Sequence, residues 1–133
     1  MSQRQRIIVV VDPDEDRATA LSSRLDRRGY HVVRRASGTD ALECVAECRP
    51  DLVLSEVELL DIKSPELLVS ISEISPSTQV LFITRQESDP RLSEGRDHPL
   101  LGQAGEPEAL EEAVQAVDRL LEGMPFPASP SPA

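Results

Sequence analysis

Three short apolar runs limit this chain to a narrow set of folds. They are Ile7-Ile8-Val9-Val10-Val11, Asp51-Leu52-Val53-Leu54-Ser55 and Gln79-Val80-Leu81-Phe82-Ile83-Thr84. A strand with one wet face alternates polar and apolar residues. A continuous apolar run suits a strand covered on both faces, as in a parallel sheet. Helical periodicity fills the intervals. Ala18, Leu21 and Leu25 share one face of the first helical segment, with Arg17, Arg24 and Arg28 elsewhere on it,. Gly29 follows in the position of a C-terminal cap,. Tyr30-His31-Val32-Val33 is a short second strand. Ser37-Gly38-Thr39-Asp40 opens a second helix carrying Ala41, Leu42, Val45 and Ala46, and Pro50 separates that helix from the third strand. Leu67, Leu68, Ile71 and Ile74 mark a third helix. Leu110, Ala113, Val114, Val117, Leu120 and Leu121 mark a strong final one. Alternation of this kind predicts an α/β fold, a parallel sheet with helices on both faces.

A polar residue stands before proline at Asp12-Pro13, Ser64-Pro65, Asp89-Pro90 and Glu106-Pro107. Proline fits the first helical turn, where its missing N–H costs nothing, and Asp or Ser caps the same end. Glu15 is placed to complete a capping box with Asp12. From Arg85 to Gly105 the apolar periodicity is weak. A helix there, from Pro90 to Glu94, would be short, and Pro99-Leu100-Leu101 is a brief fifth strand. We expect one domain over residues 1–122, followed by a Pro-, Ser- and Ala-rich tail or linker over residues 123–133,.

A chain of 133 residues is long enough for one real core,. Aromatics make up 2% of it and the net charge is -10, both of which argue against a nucleic-acid surface,. No apolar run approaches the ~20 residues that span a membrane. The first residues run straight into a strand without a signal-peptide core. Cys44 and Cys48 lie one helical turn apart and read as reduced core or boundary residues, as expected in the cytoplasm,.

The pieces Ile8-Val9-Val10-Val11-Asp12, Gly29-Tyr30-His31-Val32, Arg49-Pro50-Asp51-Leu52-Val53-Leu54, Ile83-Thr84 and Glu106-Pro107-Glu108-Ala109-Leu110, in that order, resemble a two-component receiver domain over residues 6–122. The resemblance implies a flavodoxin-like (CheY-like) doubly wound sheet of five parallel strands in the order 2-1-3-4-5. It also implies a phosphorylation site that this chain carries in degenerate form. Asp12 matches the first of two metal-holding acids after the first strand, but Pro13 occupies the place of the second. Glu56 stands where the acceptor aspartate ends the third strand. Thr84 matches the residue that hydrogen-bonds the phosphoryl group. Gln103 lies nearest the place of the family's lysine, and Leu100 nearest that of the switch aromatic.

Asp12 and Glu56 are the weak candidates for a metal. With a loop carbonyl they supply fewer ligands than the roughly six oxygens Mg²⁺ takes. Asp14 and Glu15 fall in the first helical turn, where carboxylates favour the helix dipole. Arg85 follows Thr84 and is the candidate charge partner for Glu56 or Asp12,. His31 reads as structural, His98 has no triad partner in view, and Asp61 reads as a turn residue,.

These features point to a pseudo-receiver of a bacterial signalling pathway. It would bind a protein partner without aspartyl phosphorylation, through the final helix and the segment from Arg85 to Gly105. No catalysis, cofactor, nucleic acid or membrane insertion is expected. The alternative is a phosphorylatable receiver with rearranged chemistry, in which Asp61 or Glu56 accepts the phosphoryl group. An unrelated α/β enzyme is a third reading; it lacks a Gly-rich phosphate loop after the first strand.

Overall fold

The apolar runs become the interior of a sheet. The computed structural model describes residues 5–84, 100–103 and 107–122. Its strands are β1 (Ile7–Val11), β2 (His31–Arg35), β3 (Leu52–Glu56), β4 (Gln79–Thr84) and β5 (Leu100–Gln103). The helices among the described residues are α1 (Glu15–Arg27), α2 (Gly38–Cys48), α3 (Ser64–Ile74) and α4 (Pro107–Glu122). The strands are all parallel and form one sheet in the order β2-β1-β3-β4-β5. This is the doubly wound order that the receiver resemblance implies. The predicted fifth strand is present, ending at Gln103. The short helix expected at Pro90 to Glu94, and the tail over residues 123–133, lie outside the described residues.

Both faces of the sheet are covered, which is why the runs are continuous. Successive side chains point to opposite faces of a strand. Ile8 and Val10 of β1, Leu52 and Leu54 of β3, and Leu81 and Ile83 of β4 join α1 and α4 in one core layer. Val9, Val11, Val53, Val80 and Phe82 join α2 and α3 in the other. Each fully buried Val, Leu or Ile contributes about 1.5–3 kcal/mol relative to an exposed one. β2 is an edge strand, only half-buried, and its composition is correspondingly mixed. His31 lies there, exposed, with its backbone N–H on the carbonyl of Arg6.

The helix ends follow a different rule from the one the proline pairs suggest. Asp14, after Pro13, is the N-cap of α1, and its Oδ1 accepts the backbone N–H of Arg17 at 3.1 Å. Asp12 therefore makes no capping box with Glu15. Lys63 occupies the N-cap of α3 without a side-chain bond, and Ser64 is the helix's first, buried residue. Pro107 does open α4. Gly29 closes α1 at a φ of 95°, which glycine adopts freely,. α2 instead closes on Arg49 in the left-handed region, φ 46°. Pro50 follows, and a residue before proline is disfavoured in the right-handed helical region.

The far end of α1 is fastened to α4. Arg28 and Tyr30 both donate to the carboxylate of Asp118, and Arg24 lies 3.5 Å from Glu111. Burial, and then the hydrogen bond to Asp118, push the Tyr30 hydroxyl well above its ordinary range.

Gly38, the first residue of α2, sits against the loop after β3. A Cβ there would lie 2.1 Å from Cγ2 of Ile62. That methyl is attached next to the backbone and has little freedom to move. Replacing Gly38 by alanine is expected to destabilise the protein by about 1–3 kcal/mol, the usual range for overpacking. Urea denaturation of G38A against wild type measures it.

Candidate functional site

β1 and β3 are neighbours, with Val11 beside Ser55. Asp12 and Glu56, the next residues, therefore come together at the carboxyl edge of the sheet. The ligand crevice of an open α/β sheet lies at this edge. Both are withdrawn from water: the side chains expose 1% for Asp12 and 0% for Glu56. Unpaired, two such carboxylates would strongly destabilise the fold.

The cation that meets them is Arg17. It stands in the first turn of α1, and helical side chains lean back toward the N-terminus, here toward the strand ends. Its Nε donates to Asp12 Oδ2 at 2.5 Å and its Nη2 to Asp12 Oδ1 at 2.8 Å, a two-pronged contact,. The same Nη2 donates to Glu56 Oε2 at 2.6 Å. Backbone amides add two more donors. Asp14 N–H reaches Asp12 Oδ1 at 2.9 Å, and Glu58 N–H reaches Glu56 Oε1 at 3.2 Å. Burial alone would lower the pKa of Arg17. The hydrogen bond to Asp12 and the charges of Asp12 and Glu56 outweigh it, so the guanidinium is held charged more firmly than usual.

The apolar periodicity of α1 leaves Arg17 off the face of Ala18, Leu21 and Leu25. The side chain is instead buried along with Ala18, Leu21 and Leu25. A signal was available: Arg17 precedes Leu21 by four residues and so continues the Leu21–Leu25 stripe by one turn.

Known proteins share this arrangement of elements. The pattern of the response regulator receiver domain matches residues 8–118. The chain belongs to the response regulator receiver domain family. Among curated relatives of this receiver, sporulation initiation phosphotransferase F of Bacillus subtilis is 25% identical over 114 residues, covering 86% of this chain and 92% of that protein. Transcriptional regulatory protein GlrR of Escherichia coli is 26% identical over 122 residues, covering 92% of this chain. The chain spans only 28% of the length of that regulator. Two solved structures share the receiver fold. A CheY-like receiver domain protein of Methanospirillum hungatei has a TM-score of 0.73 at 20% identity, over 90% of this chain and 95% of that one. Chemotaxis response regulator CheY4 of Vibrio cholerae has a TM-score of 0.67 at 22% identity, over 86% of this chain and 99% of that one.

In this receiver the residues at the acidic edge do not fit a divalent cation. All four oxygens of Asp12 and Glu56 already accept hydrogen bonds, three of them from the Arg17 guanidinium. Pro13 is exposed at the bend after Asp12 and carries no carboxylate. Asp14 is committed to the helix cap. Among the described residues there is no group of three or more His, Cys, Asp or Glu side chains that could hold a metal.

Thr84 ends β4 and pairs in register with Gln103 of β5, so these two predicted positions lie side by side at the same edge. Arg85 and His98 lie outside the described residues.

Asp61 proves to be more than a turn residue. Its carboxylate accepts from the N–H of Gly38 at 3.0 Å, and from the N–H of Thr39 at 2.8 Å and its hydroxyl at 2.6 Å. It thereby satisfies free amides at the start of α2 and ties the loop after β3 to that helix. The hydroxyl and amide of Thr39 hold its pKa down at about 2. Cys44 and Cys48 face one another at 3.8 Å as free thiols, and burial, then the contact with Cys44, pushes Cys48 up to about 11.

Removing the buried cation leaves two desolvated carboxylates. Arg17→Ala is expected to lower stability by about 3–5 kcal/mol, measured by urea or thermal unfolding. For Asp61 the folded pKa lies below the ordinary value of 3.8. Its contribution is thus present above that value and is lost as pH falls toward about 2,. Between about pH 5 and pH 2 the stability of Asp61→Asn should fall less steeply than that of wild type, in unfolding curves taken across that range.

Proposed function

We propose that this receiver is a pseudo-receiver, a signalling module that binds a protein partner without aspartyl phosphorylation and does no catalysis of its own. One observation supports the reading above the others. The carboxylate at the acceptor position, Glu56, has no exposed surface, and both of its oxygens are engaged. Phosphoryl transfer requires an acceptor oxygen that can meet the phosphorus in line with the leaving group. Glu56 is held instead against Arg17 and the amide of Glu58. Asp61, the other acceptor considered, is exposed, but its carboxylate is spent on the start of α2.

A module that has lost its chemistry retains its surfaces. α4 packs Leu110, Ala113, Val114, Val117 and Leu121 inward. It leaves Glu111, Glu112, Gln115, Arg119 and Glu122 exposed. This mostly acidic face suits a partner that presents basic residues. The partner would belong to a bacterial two-component pathway, with the module acting in the cytoplasm. The relatives named as transcriptional regulatory proteins are much longer than this chain.

Incubation with Mg²⁺ and acetyl phosphate, followed by intact-mass measurement, tests the reading. The mass should not change. A gain of one phosphoryl group that is lost in Glu56→Gln or Asp61→Asn would overturn it and establish rearranged acceptor chemistry instead.

A further inference from the structure

The fit of Arg17 between Asp12 and Glu56 goes further than a buried ion pair, and the role inferred for it rests on the pseudo-receiver reading. The guanidinium contacts both carboxylates, one from the end of β1 and one from the end of β3, within 2.5 to 2.8 Å. Donor and acceptors are all charged, the pairing that gives the shorter and stronger hydrogen bonds. Its own side chain is 6% exposed. The fork donates to both oxygens of Asp12 and leaves its outer hydrogen for Glu56. A planar guanidinium can do this, and the compact ammonium of lysine cannot reproduce it. The remaining negative charge is met by the amides of Asp14 and Glu58.

We propose that Arg17 acts as a resident cation, standing where a divalent metal would otherwise be needed between Asp12 and Glu56, so that this receiver holds its acidic edge in one metal-independent arrangement. The cation comes from α1 itself and cannot diffuse away. It therefore joins three elements permanently: α1, the end of β1 and the end of β3. In this role Arg17 is a positioning residue, acting on two other side chains and on no substrate.

A purely structural salt bridge and a resident cation predict different responses to added metal. Thermal unfolding of wild type and Arg17→Ala is followed with and without millimolar Mg²⁺ or Mn²⁺. Wild type should show no shift of its midpoint. The alanine variant should start lower and be raised saturably by the cation, because a ligand that binds only the folded state stabilises it. The rise should vanish in Arg17→Ala combined with Glu56→Gln. Arg17→Lys, which keeps a charge, should respond less than Arg17→Ala. Arg17→Gln, neutral and of similar reach, gives the same comparison if the alanine variant does not fold. An equal response of wild type and the neutral variants, whether both bind or neither does, overturns the proposal. Phosphorylation of wild type in the mass experiment overturns the functional reading, whichever way the cation experiment falls.

Discussion

Two carboxylates end neighbouring strands in this protein, and neither is exposed to water. Asp12 and Glu56 can be buried together only because a guanidinium reaches them from the first turn of α1. The position of α1 over the sheet, the bend at Pro13 and the path of the chain after β3 all have to agree with that contact. Removing one partner of a buried ion pair costs more than the pair itself contributes, because the survivor remains desolvated. The sheet's apolar core would tolerate many exchanges of similar volume. The acidic edge would not.

The acidic edge and the apolar core of this receiver are built from different residues. The core layer of Ile8, Val10, Leu52, Leu54 and their neighbours contains none of the side chains of the acidic edge. Fold and site are separable in this sense. Glutamate carries its charge one bond further from the backbone than aspartate would. In this chain the extra reach brings Oε2 to the Arg17 guanidinium and Oε1 to the amide of Glu58. Glu56 is thus bound from both sides as a structural acid.

Much of the architecture was legible in the residues. Parallel strands with two covered faces leave a continuous apolar signature, and β1, β3 and β4 carried it plainly. β2 was harder to delimit because an edge strand is mixed, and the structure extends it to Arg35. The cap of α1 was misassigned because Asp12 and Asp14 flank the same proline, and only the backbone shows which aspartate faces the helix amides. Arg17 was missed for a deeper reason. Sorting a helix into apolar and polar faces takes every charge to be solvated, and the rule fails where a charge has buried partners from distant strands. Glu56 is 39 residues away from Arg17 along the chain. The long-range cap by Asp61 was illegible on the same ground. Its partners, Gly38 and Thr39, become neighbours only once β3 and α2 have packed.

α1 is held at both ends by arginines. Arg17 pins its beginning to the strand ends, and Arg28, with Tyr30, pins its finish to Asp118 on α4. Between them lies a rod of 13 residues, about 20 Å long. A displacement of α4 would therefore reach the acidic edge through α1. The strand ends and the final helix are thus two anchorages of a single helix.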